Sequence, residues 1–340
     1  MSRRKLSKQQ QTRITANQDQ VLAADDESNR NQQSYNNCNG RVVSHYGKQL
    51  DVETLVGDDA LELEDTGVIV RCHQRANLPE LVTGDYVVWE REDSESGVIV
   101  AAAERHSVFQ RPGFAGKIKP VAANIDRVVI VIATAPEPFM NLIDRYLVAI
   151  SALNLDALLV MNKTDLIDAD NRQAIDSLLS VYEQLNYPVQ RVSAQDKSGI
   201  DALASDLQGE TTVLVGQSGV GKSSLINCLG GDSLAETGAL SAAKYKGTHT
   251  TTTARLFHLA GFDVIDSPGI REFDLGHVSV DEVNSVFPEI VEHGANCKFR
   301  DCRHQQEPGC AVQAALAADQ INADRMESYR RIIANLGSSQ

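Results

Sequence analysis

The chain has 340 residues, of which 42% are hydrophobic and 23% charged, and its formal net charge is -14. This length favours two or three domains. The longest apolar runs, such as VVIVIATA at 128–135, are far shorter than the ~20 residues of a bilayer-crossing helix, so we expect no membrane span. The N-terminus is basic but lacks the apolar core of a secretory signal, which indicates a cytoplasmic protein.

Residues 1–39 are polar and rich in Gln and Asn, and their first part carries basic side chains without any acid. The basic residues are Arg3, Arg4, Lys5, Lys8 and Arg13. Such a composition cannot bury enough apolar surface to offset the entropy of ordering, so it predicts a disordered basic tail. A basic footprint on one segment of an acidic protein can contact nucleic acid, although a solvated tail without a partner fits equally well.

Residues 40–106 contain short β-like runs, such as TGVIVRCH and DYVVWERE, separated by turn-forming residues. This spacing predicts a small all-β barrel, and a five-stranded oligonucleotide-binding barrel that contacts RNA is the leading interpretation. A β-domain that only packs against its neighbour gives the same periodicity. Residues 107–120 combine Gly, Pro and basic residues without a hydrophobic period, so we interpret them as a linker.

Between residues 121 and 276, strand-like runs alternate with helical patterns, which predicts a parallel α/β sheet. One polar loop of this region is NKTD, made of Asn162, Lys163, Thr164 and Asp165, directly after the apolar run LLVM. Asp165 can accept hydrogen bonds from N1–H and the 2-amino group of guanine, while Asn162 braces the loop and the Lys163 stem covers the base. A buried carboxylate left without these donors is costly, which favours GTP over ATP.

The stretch VSAQ at 192–195 follows the NKTD loop and predicts the short loop that backs a guanine base. We expect Ser193 and Ala194 to lie beside the base, with the Ala194 amide toward the base oxygen.

The next loop matches the phosphate-binding pattern G-x-x-x-x-G-K-[ST] and stands between a strand-like run and a helix-like run. Backbone amides around the glycines and the positive helix N-terminus can surround phosphates. Lys222 is expected to reach the β- and γ-phosphates, and the Ser223 hydroxyl is expected to bind Mg²⁺. The predicted phosphate-binding residues are Gly216, Gln217, Ser218, Gly219, Val220, Gly221, Lys222, Ser223 and Ser224.

The run DVIDSPG ends in a second loop suited to Mg²⁺ and phosphate. Asp266 can hold Mg²⁺ through water, and the Gly269 amide can meet the γ-phosphate. Ile270 stands where Ras-like GTPases carry a water-orienting Gln, and an aliphatic side chain cannot polarise water. His249 is therefore the predicted catalytic group, with Thr250 or a neighbouring threonine closing on Mg²⁺. Alternatively, a partner supplies the catalytic group, and His249 is only an exposed loop histidine. In the absence of the usual Gln, we expect slow intrinsic GTP hydrolysis that a partner stimulates.

Near the C-terminus, CKFRDCRHQQEPGC brings together Cys297, Cys302, His304 and Cys310. Disulfides are not expected in a cytoplasmic chain. Three thiolates and one imidazole form a closed tetrahedral set for one structural Zn²⁺. Basic residues interleave with these ligands and suit an RNA backbone, although a solvated face is equally consistent. The stretch MESYRRIIANL at 326–336 predicts a closing amphipathic helix.

The order NKTD loop, SA loop, phosphate loop, THTTTT and DSPG resembles that of the circularly permuted GTPases, in which the chain has been rejoined and reopened. With the barrel and the cysteine set, the chain resembles the RsgA family of ribosome small-subunit-dependent GTPases. The resemblance implies an α/β fold: a permuted P-loop GTPase core over 121–276, an N-terminal oligonucleotide-binding-like barrel and a C-terminal helical zinc-binding domain over 277–340. Permutation also makes the segment after Gly269 lead directly into that last domain.

The resemblance further implies a GTP hydrolase of late 30S subunit maturation. Its activity would be stimulated by the small subunit and coupled to release of assembly factors. The implied partners are the 30S subunit, 16S rRNA, GTP and GDP, with Mg²⁺ bound alongside GTP, and we expect a monomer. The residues alone leave open a GTP-regulated adaptor whose partner is a protein, and an ATP-dependent enzyme is a third class.

Overall fold

The computed structural model describes residues 38–47, 49–55, 67–93, 96–112, 118–231, 254–266, 275 and 278–337. The first five strands form a closed barrel. They are β1 (Gly40–Tyr46), β2 (Gln49–Thr54), β3 (Ile69–Gln74), β4 (Tyr86–Arg91) and β5 (Ser96–Ala102). The strand order is β1-β2-β3-β5-β4, and β4 pairs back with β1 to close the ring. Only β3 and β5 run parallel among these pairs. This arrangement matches an oligonucleotide-binding-like barrel.

Alternating residues of the barrel strands point inward and build its core. Leu50 and Val52 of β2 are buried while the residues between and beside them are more exposed. Trp89 and Ile99 fill the same interior from β4 and β5. The alternation is what a strand with one buried face requires.

The segment 107–120, interpreted from the sequence as a linker, is more regular than that interpretation implies. It contains β6 (Val108–Pro112) and the first half of β7 (Ile118–Ala123), which pair as an antiparallel hairpin. Phe109 and Ala122, paired across this hairpin, are fully buried. The sequence does not show this pattern clearly, because the middle of the segment is polar and rich in Gly and Pro, and the buried Ala122 lies just beyond its end.

Within the described residues, six strands form a central sheet, which is part of a larger sheet that continues into the barrel. These strands are β8 (Arg127–Ala133), β9 (Asp156–Asn162), β10 (Val189–Arg191), β11 (Thr211–Val215), β12 (Arg255–Leu259) and β13 (Phe262–Asp266). Their order is β10-β9-β8-β11-β13-β12, with all pairs parallel except β12 with β13. The helices between the strands are α1 (Met140–Ser151), α2 (Arg172–Gln184), α3 (Ile200–Asp206) and α4 (Lys222–Gly230).

Strand β8 is apolar at nearly every position because both faces of the sheet are covered. Val128, Ile130 and Ile132 pack into one buried cluster, whereas Val129 and Val131 pack into another on the opposite face. Continuous apolar runs are typical of parallel strands in this setting. The chain order reverses between the neighbours β8 and β11, and ligands of such sheets bind beyond the carboxyl ends of the strands at this switch point.

The C-terminal part is helical and packs against the first helix of the central sheet. It comprises α5 (Val280–Val286), α6 (Pro288–Gly294), α7 (Ala311–Ala317) and α8 (Ala323–Gly337). Ser279 caps α5 in a reciprocal box with Glu282. Both α5 and α8 lie against α1, so the C-terminal helices contact the sheet through that helix. Among the described helices, none combines the length and the apolar character needed to cross a bilayer.

The barrel is joined to the central sheet by strand pairing and by buried polar contacts. Ser44 of β1 pairs with Arg255 of β12. The buried Arg41 guanidinium forms an ion pair with Asp263 and donates to Thr211 Oγ1 at 2.9 Å. These contacts lie at the amino ends of β11 and β13, away from the edge where ligands of such sheets bind.

Candidate nucleotide-binding site

The loop between β11 and α4 carries the glycine-rich sequence. Gly216 has a φ of 144°, and a Cβ added there would lie 2.2 Å from the Val131 carbonyl oxygen. Gly221 has a φ of 94°, and a Cβ there would lie 2.5 Å from Asn162 Nδ2. Both positions therefore require glycine. Ser218 and Gly219 are exposed, so the loop faces solvent at the carboxyl edge of the sheet.

Lys222 begins α4 and curls back over this loop. Its Nζ donates to the carbonyl oxygens of Gly216 at 2.7 Å and Gln217 at 2.9 Å. This position places the ammonium at the mouth of the loop, next to the helix N-terminus, where a phosphate would find positive charge. Ser223 and Ser224 are exposed in the first turn of the helix.

Asp266 ends β13 beside the phosphate loop. It is in register with Leu214 of β11, and burial raises the pKa of its carboxyl while the nearby Lys222 opposes that shift. A half-buried carboxylate next to an ammonium is a suitable acceptor for a hydrated divalent cation. Thr250, Gly269 and the predicted catalytic His249 lie outside the described residues.

Asn162, at the end of β9, connects the loops of this edge. Its side chain is 1% exposed; Nδ2 donates to the Val220 carbonyl at 2.9 Å, and Oδ1 accepts from the Ala194 amide at 3.3 Å. The predicted base loop, phosphate loop and SA loop are thus held by one side chain. The three motifs therefore meet at one edge of the sheet, although Asn162 and Val220 are 58 residues apart in the chain.

Lys163 adopts a left-handed backbone conformation with a φ of 59°. Its Nζ donates to the carbonyl oxygens of Gly219 at 2.7 Å and Ala135 at 2.6 Å. The ammonium therefore bridges the phosphate loop and the loop after β8. Thr134 Oγ1 also donates to the Lys163 carbonyl at 3.0 Å.

The carboxylate of Asp165 is oriented by the SA loop. Ser193 is fully buried, and its hydroxyl donates to Asp165 Oδ1 at 2.6 Å. The same hydroxyl accepts from the amides of Gln195 and Asp196, both at 3.2 Å. Thr164 begins a short 3₁₀ turn, and its amide donates to the Val192 carbonyl at 3.2 Å. Asp165 is thereby oriented by the SA loop while its side chain remains exposed.

Sequence reasoning missed the loop after β8. Thr134 and Ala135 both contact Lys163, and Pro136 lies 3.9 Å from a Cβ built on Gly219. Its position in the sequence could have identified it. The loop follows an apolar strand of the same sheet, so it reaches the same edge as the recognised motifs.

The cysteine-rich segment forms a second candidate site in the C-terminal part. The ligand atoms of Cys297, Cys302, His304 and Cys310 all lie within 4.8 Å of one another. Cys297 Sγ is 3.9 Å from Cys310 Sγ and 3.6 Å from His304 Nδ1, and Cys310 Sγ is 3.5 Å from His304 Nδ1. A tetrahedral Zn²⁺ with Zn–S of ~2.3 Å and Zn–N of ~2.0 Å requires about 3.8 Å between sulfurs and about 3.5 Å from sulfur to nitrogen. The four side chains fit Zn²⁺.

Neighbouring contacts hold these ligands in place. Burial lowers the pKa of His304, which keeps the imidazole neutral and able to donate a lone pair to a metal. The His304 carbonyl accepts from Arg330 of α8 at 2.8 Å and from Gln313 at 2.6 Å. Cys310 also caps α7 by accepting from the Gln313 amide at 3.4 Å. The cluster is therefore integrated with α7 and α8.

The sheet order and the converging loops define the class: a circularly permuted P-loop GTPase. A family model described as RsgA GTPase matches residues 102–276. A relative from Ectopseudomonas mendocina, named small ribosomal subunit biogenesis GTPase RsgA, is 53% identical over 298 residues, covering 87% of this chain and 85% of the relative. A relative of the same name from Marinobacter nauticus is 48% identical and covers 100% of this chain and 98% of its own. The chain belongs to the RsgA GTPase family.

Solved structures agree with this assignment. The crystal structure of YjeQ from Thermotoga maritima has a TM-score of 0.65 and 30% identity, covering 87% of this chain and 97% of that one. YloQ, described as a circularly permuted GTPase, has a TM-score of 0.64 and 27% identity, covering 93% of this chain and 99% of its own. The predicted fold class, a permuted α/β GTPase core with an N-terminal barrel and a C-terminal helical Cys/His part, is confirmed. So is the prediction of a GTP-hydrolysing enzyme.

Proposed function

We propose that this chain hydrolyses GTP during late maturation of the 30S ribosomal subunit, that the small subunit stimulates the reaction, and that hydrolysis is coupled to release of assembly factors. The observation that carries the nucleotide part is the Asn162 side chain, which joins the base loop, the SA loop and the phosphate loop. The ribosomal part is supported by relatives that carry the name small ribosomal subunit biogenesis GTPase.

In the proposed complex, guanine lies between the Lys163 stem and the SA loop. Asp165 accepts from N1–H and the 2-amino group, while the Ala194 amide faces the base oxygen. Because Ser193 already orients one carboxylate oxygen, Asp165 needs little rearrangement when the base arrives. Adenine presents no such pair of donors, so the site selects GTP.

At the other end, Lys222 exchanges its loop carbonyls for the β- and γ-phosphates, and the amides of 216–221 surround them. Ser223 and Asp266 would hold Mg²⁺, Asp266 through water, and Thr250 and the Gly269 amide would complete the γ-phosphate end. Bound there, Mg²⁺ would neutralise the charge that develops on the transferred phosphoryl group.

Water activation is assigned to His249 or to the small subunit. Ile270 occupies the place of the water-orienting Gln of Ras-like enzymes and has no polar atom to offer. Intrinsic hydrolysis is therefore slow, and binding to the subunit accelerates it by completing this side of the site.

The flanking parts are proposed to contact 16S rRNA. Lys298, Arg300 and Arg303 are exposed in the segment that carries the cysteine cluster. Positive side chains on a fixed surface suit a phosphate backbone, and binding of this kind weakens steeply with salt. Zn²⁺ at the cluster would have a structural role. The proposed partner is the 30S subunit, so we infer that the protein acts in the cytoplasm. We also infer that it acts as a monomer.

The proposal is tested by measuring GTP hydrolysis alone, with purified 30S subunits, with 50S subunits and with an RNA-free protein. We expect only 30S subunits to stimulate GTP hydrolysis strongly. The association with 30S subunits should be lost after ribonuclease treatment, and GTP but not ATP should compete for the nucleotide site. Equal rates with and without 30S subunits would overturn the ribosomal part, and preference for ATP would overturn the nucleotide part.

A further inference from the structure

Arg325, near the start of α8, is a buried cation at the junction between the C-terminal helices and the central sheet. Its side chain is 1% exposed. Nη1 lies 2.5 Å from Asp144 Oδ1, Nε lies 2.9 Å from Glu289 Oε1, and Nη2 donates to the Val286 carbonyl at 2.7 Å. The guanidinium also stands 4.0 Å from the Phe287 ring centroid. One side chain thus joins α8, α6 and the end of α5 to Asp144 of α1.

The first turns of α1 are held on two sides. Tyr182 of α2 is fully buried, and its hydroxyl lies 2.9 Å from Asp144 Oδ1 and 3.3 Å from the Met140 carbonyl. On the other side, Asn141 Nδ2 donates to Ser328 Oγ of α8 at 3.2 Å. The position of the α1 N-terminus therefore depends on contacts with α8 and α2.

The loop that enters α1 belongs to the proposed guanine site. Ala135, five residues before Met140, accepts from Lys163 Nζ at 2.6 Å, and Thr134 Oγ1 donates to the Lys163 carbonyl at 3.0 Å. A displacement of the α1 N-terminus would move the Ala135 carbonyl, and with it the ammonium that keeps the Lys163 stem beside the base.

We propose that Arg325 is a positioning residue for guanine-nucleotide binding, which couples the C-terminal helical part to the base loop through Asp144, α1 and Ala135. This inference rests on the proposed placement of the base beside Lys163. By linkage, a partner that displaces the C-terminal part will change guanine-nucleotide affinity, and bound nucleotide will change affinity for that partner by the same factor.

The chemistry of the junction supports a positioning role. Apolar side chains such as Phe287 and Met326 already bury the contact between the C-terminal helices and α1. A buried ion pair adds little net stability compared with apolar packing, because both charges lose their hydration. What the pair adds is a defined orientation of α8 relative to α1, because the rigid, planar guanidinium donates to Asp144, Glu289 and the Val286 carbonyl at fixed angles.

The test compares Arg325→Met with Arg331→Met, the same substitution on the exposed side of the same helix. Binding of a fluorescent GDP analogue is measured well below the unfolding temperature of each variant. We expect Arg325→Met to weaken GDP binding about fivefold or more, within the range of typical coupling factors, through faster dissociation. Arg331→Met should stay within about twofold of the unmodified chain. Tyr182→Phe, which removes one hydroxyl and its hydrogen bond while keeping the ring, should also weaken binding by about threefold.

A purely structural role would lower the unfolding temperature without changing the GDP affinity of the folded protein, and that result overturns the inference. If Arg325→Met does not fold, the inference is judged on Tyr182→Phe, and unchanged GDP affinity of that variant overturns it. The route is tested in a Lys163→Met background, where the effect of Tyr182→Phe on GDP binding should vanish because the link to Ala135 is already lost. An undiminished effect there overturns the proposed route.

Failure of the proposed function is recognised separately with Asp165→Asn. If Asp165→Asn leaves the preference for guanine unchanged, the base placement itself is wrong. If Asp165→Asn abolishes that preference while Tyr182→Phe and Arg325→Met bind GDP normally, only the coupling is wrong.

Discussion

Asn162 Nδ2 donates to the Val220 carbonyl at 2.9 Å, across 58 residues of chain. The contact explains how a permuted motif order still yields one nucleotide site. The order of motifs in the chain decides which loop is synthesised first, but the order of strands in the sheet decides which loops are neighbours. Because β9 and β11 flank β8 and run parallel to it, their carboxyl-end loops reach each other irrespective of connection.

Asn162→Ala should weaken guanine-nucleotide binding about tenfold or more. The substitution leaves the buried Val220 carbonyl and the Ala194 amide without their partner, and each orphaned group costs about 1–3 kcal/mol. GDP affinity is measured by titration with a fluorescent analogue. Asn171→Ala is the matched control, because the Asn171 side chain contacts Leu166 and Asp168, which are close to it in the chain. An effect as large in the control would assign the loss to general loosening of the loop.

Asp165→Asn should change the nucleotide preference from GTP towards xanthosine triphosphate. The amide donates where the carboxylate accepted, so it repels the 2-amino group of guanine but matches the 2-oxygen of xanthine. Sites built on such hydrogen bonds discriminate by ~10⁴-fold or more. Hydrolysis rates of both nucleotides check the change. Asp170→Asn, an exposed neighbour, should keep GTP preference, and unchanged GTP use by Asp165→Asn would refute the base assignment.

The motifs could be recognised from the sequence because each one is local. A phosphate loop needs glycine at fixed positions, and Gly216 and Gly221 have positive φ values that other residues resist. The Cys/His cluster spans only 14 residues, so its spacing alone predicts its geometry. Short apolar runs likewise predicted the barrel and the parallel sheet, because each strand is also a local pattern.

Contacts between distant segments could not be predicted in this way. Arg325 stands in a polar helical stretch, where the sequence pattern indicates an exposed side chain; its burial depends on Asp144, 181 residues earlier. The Ala135 contact with Lys163 uses a backbone carbonyl, which has no signature in residue type. The pairing of β6 with β7 likewise depends on the buried anchors Phe109 and Ala122, the second of which lies beyond the 107–120 segment.

The purified chain should contain one Zn²⁺ per molecule, measured by elemental analysis. Cys302→Ser should lower the zinc content and unfold the C-terminal helical part locally, because binding and folding of such small sites are coupled. Chelation of the unmodified protein should have the same effect, reversed by added Zn²⁺. Cys228→Ser is the control, since Cys228 lies on α4 outside the cluster and should leave zinc content unchanged. Full stability of a zinc-free protein would show that the cluster does not need the metal.

His258 joins the barrel to the central sheet and should make stability depend on pH. Nε2 lies 2.6 Å from Glu53 Oε2 of β2 and Nδ1 lies 2.7 Å from Asp263 Oδ1, which also pairs with the neighbouring Arg41. Hydrogen bonds to Asp263 and Glu53 raise the pKa of His258 from 6.5 to about 9. A raised pKa means that the stabilisation is complete below pH ~6.5 and is lost as the pH rises through about 9.

His258→Gln should therefore be less stable than the unmodified protein near pH 6.5, with the difference shrinking by pH 10. Because the imidazole is 41% exposed, solvent screening limits the effect to about 1 kcal/mol. Denaturant unfolding of both proteins between pH 6 and pH 10 measures the difference, and subtracting the two curves removes titrations common to both. A difference that stays constant over this range would mean that the imidazole is neutral in the folded protein, and that its contribution comes from hydrogen bonding and packing alone.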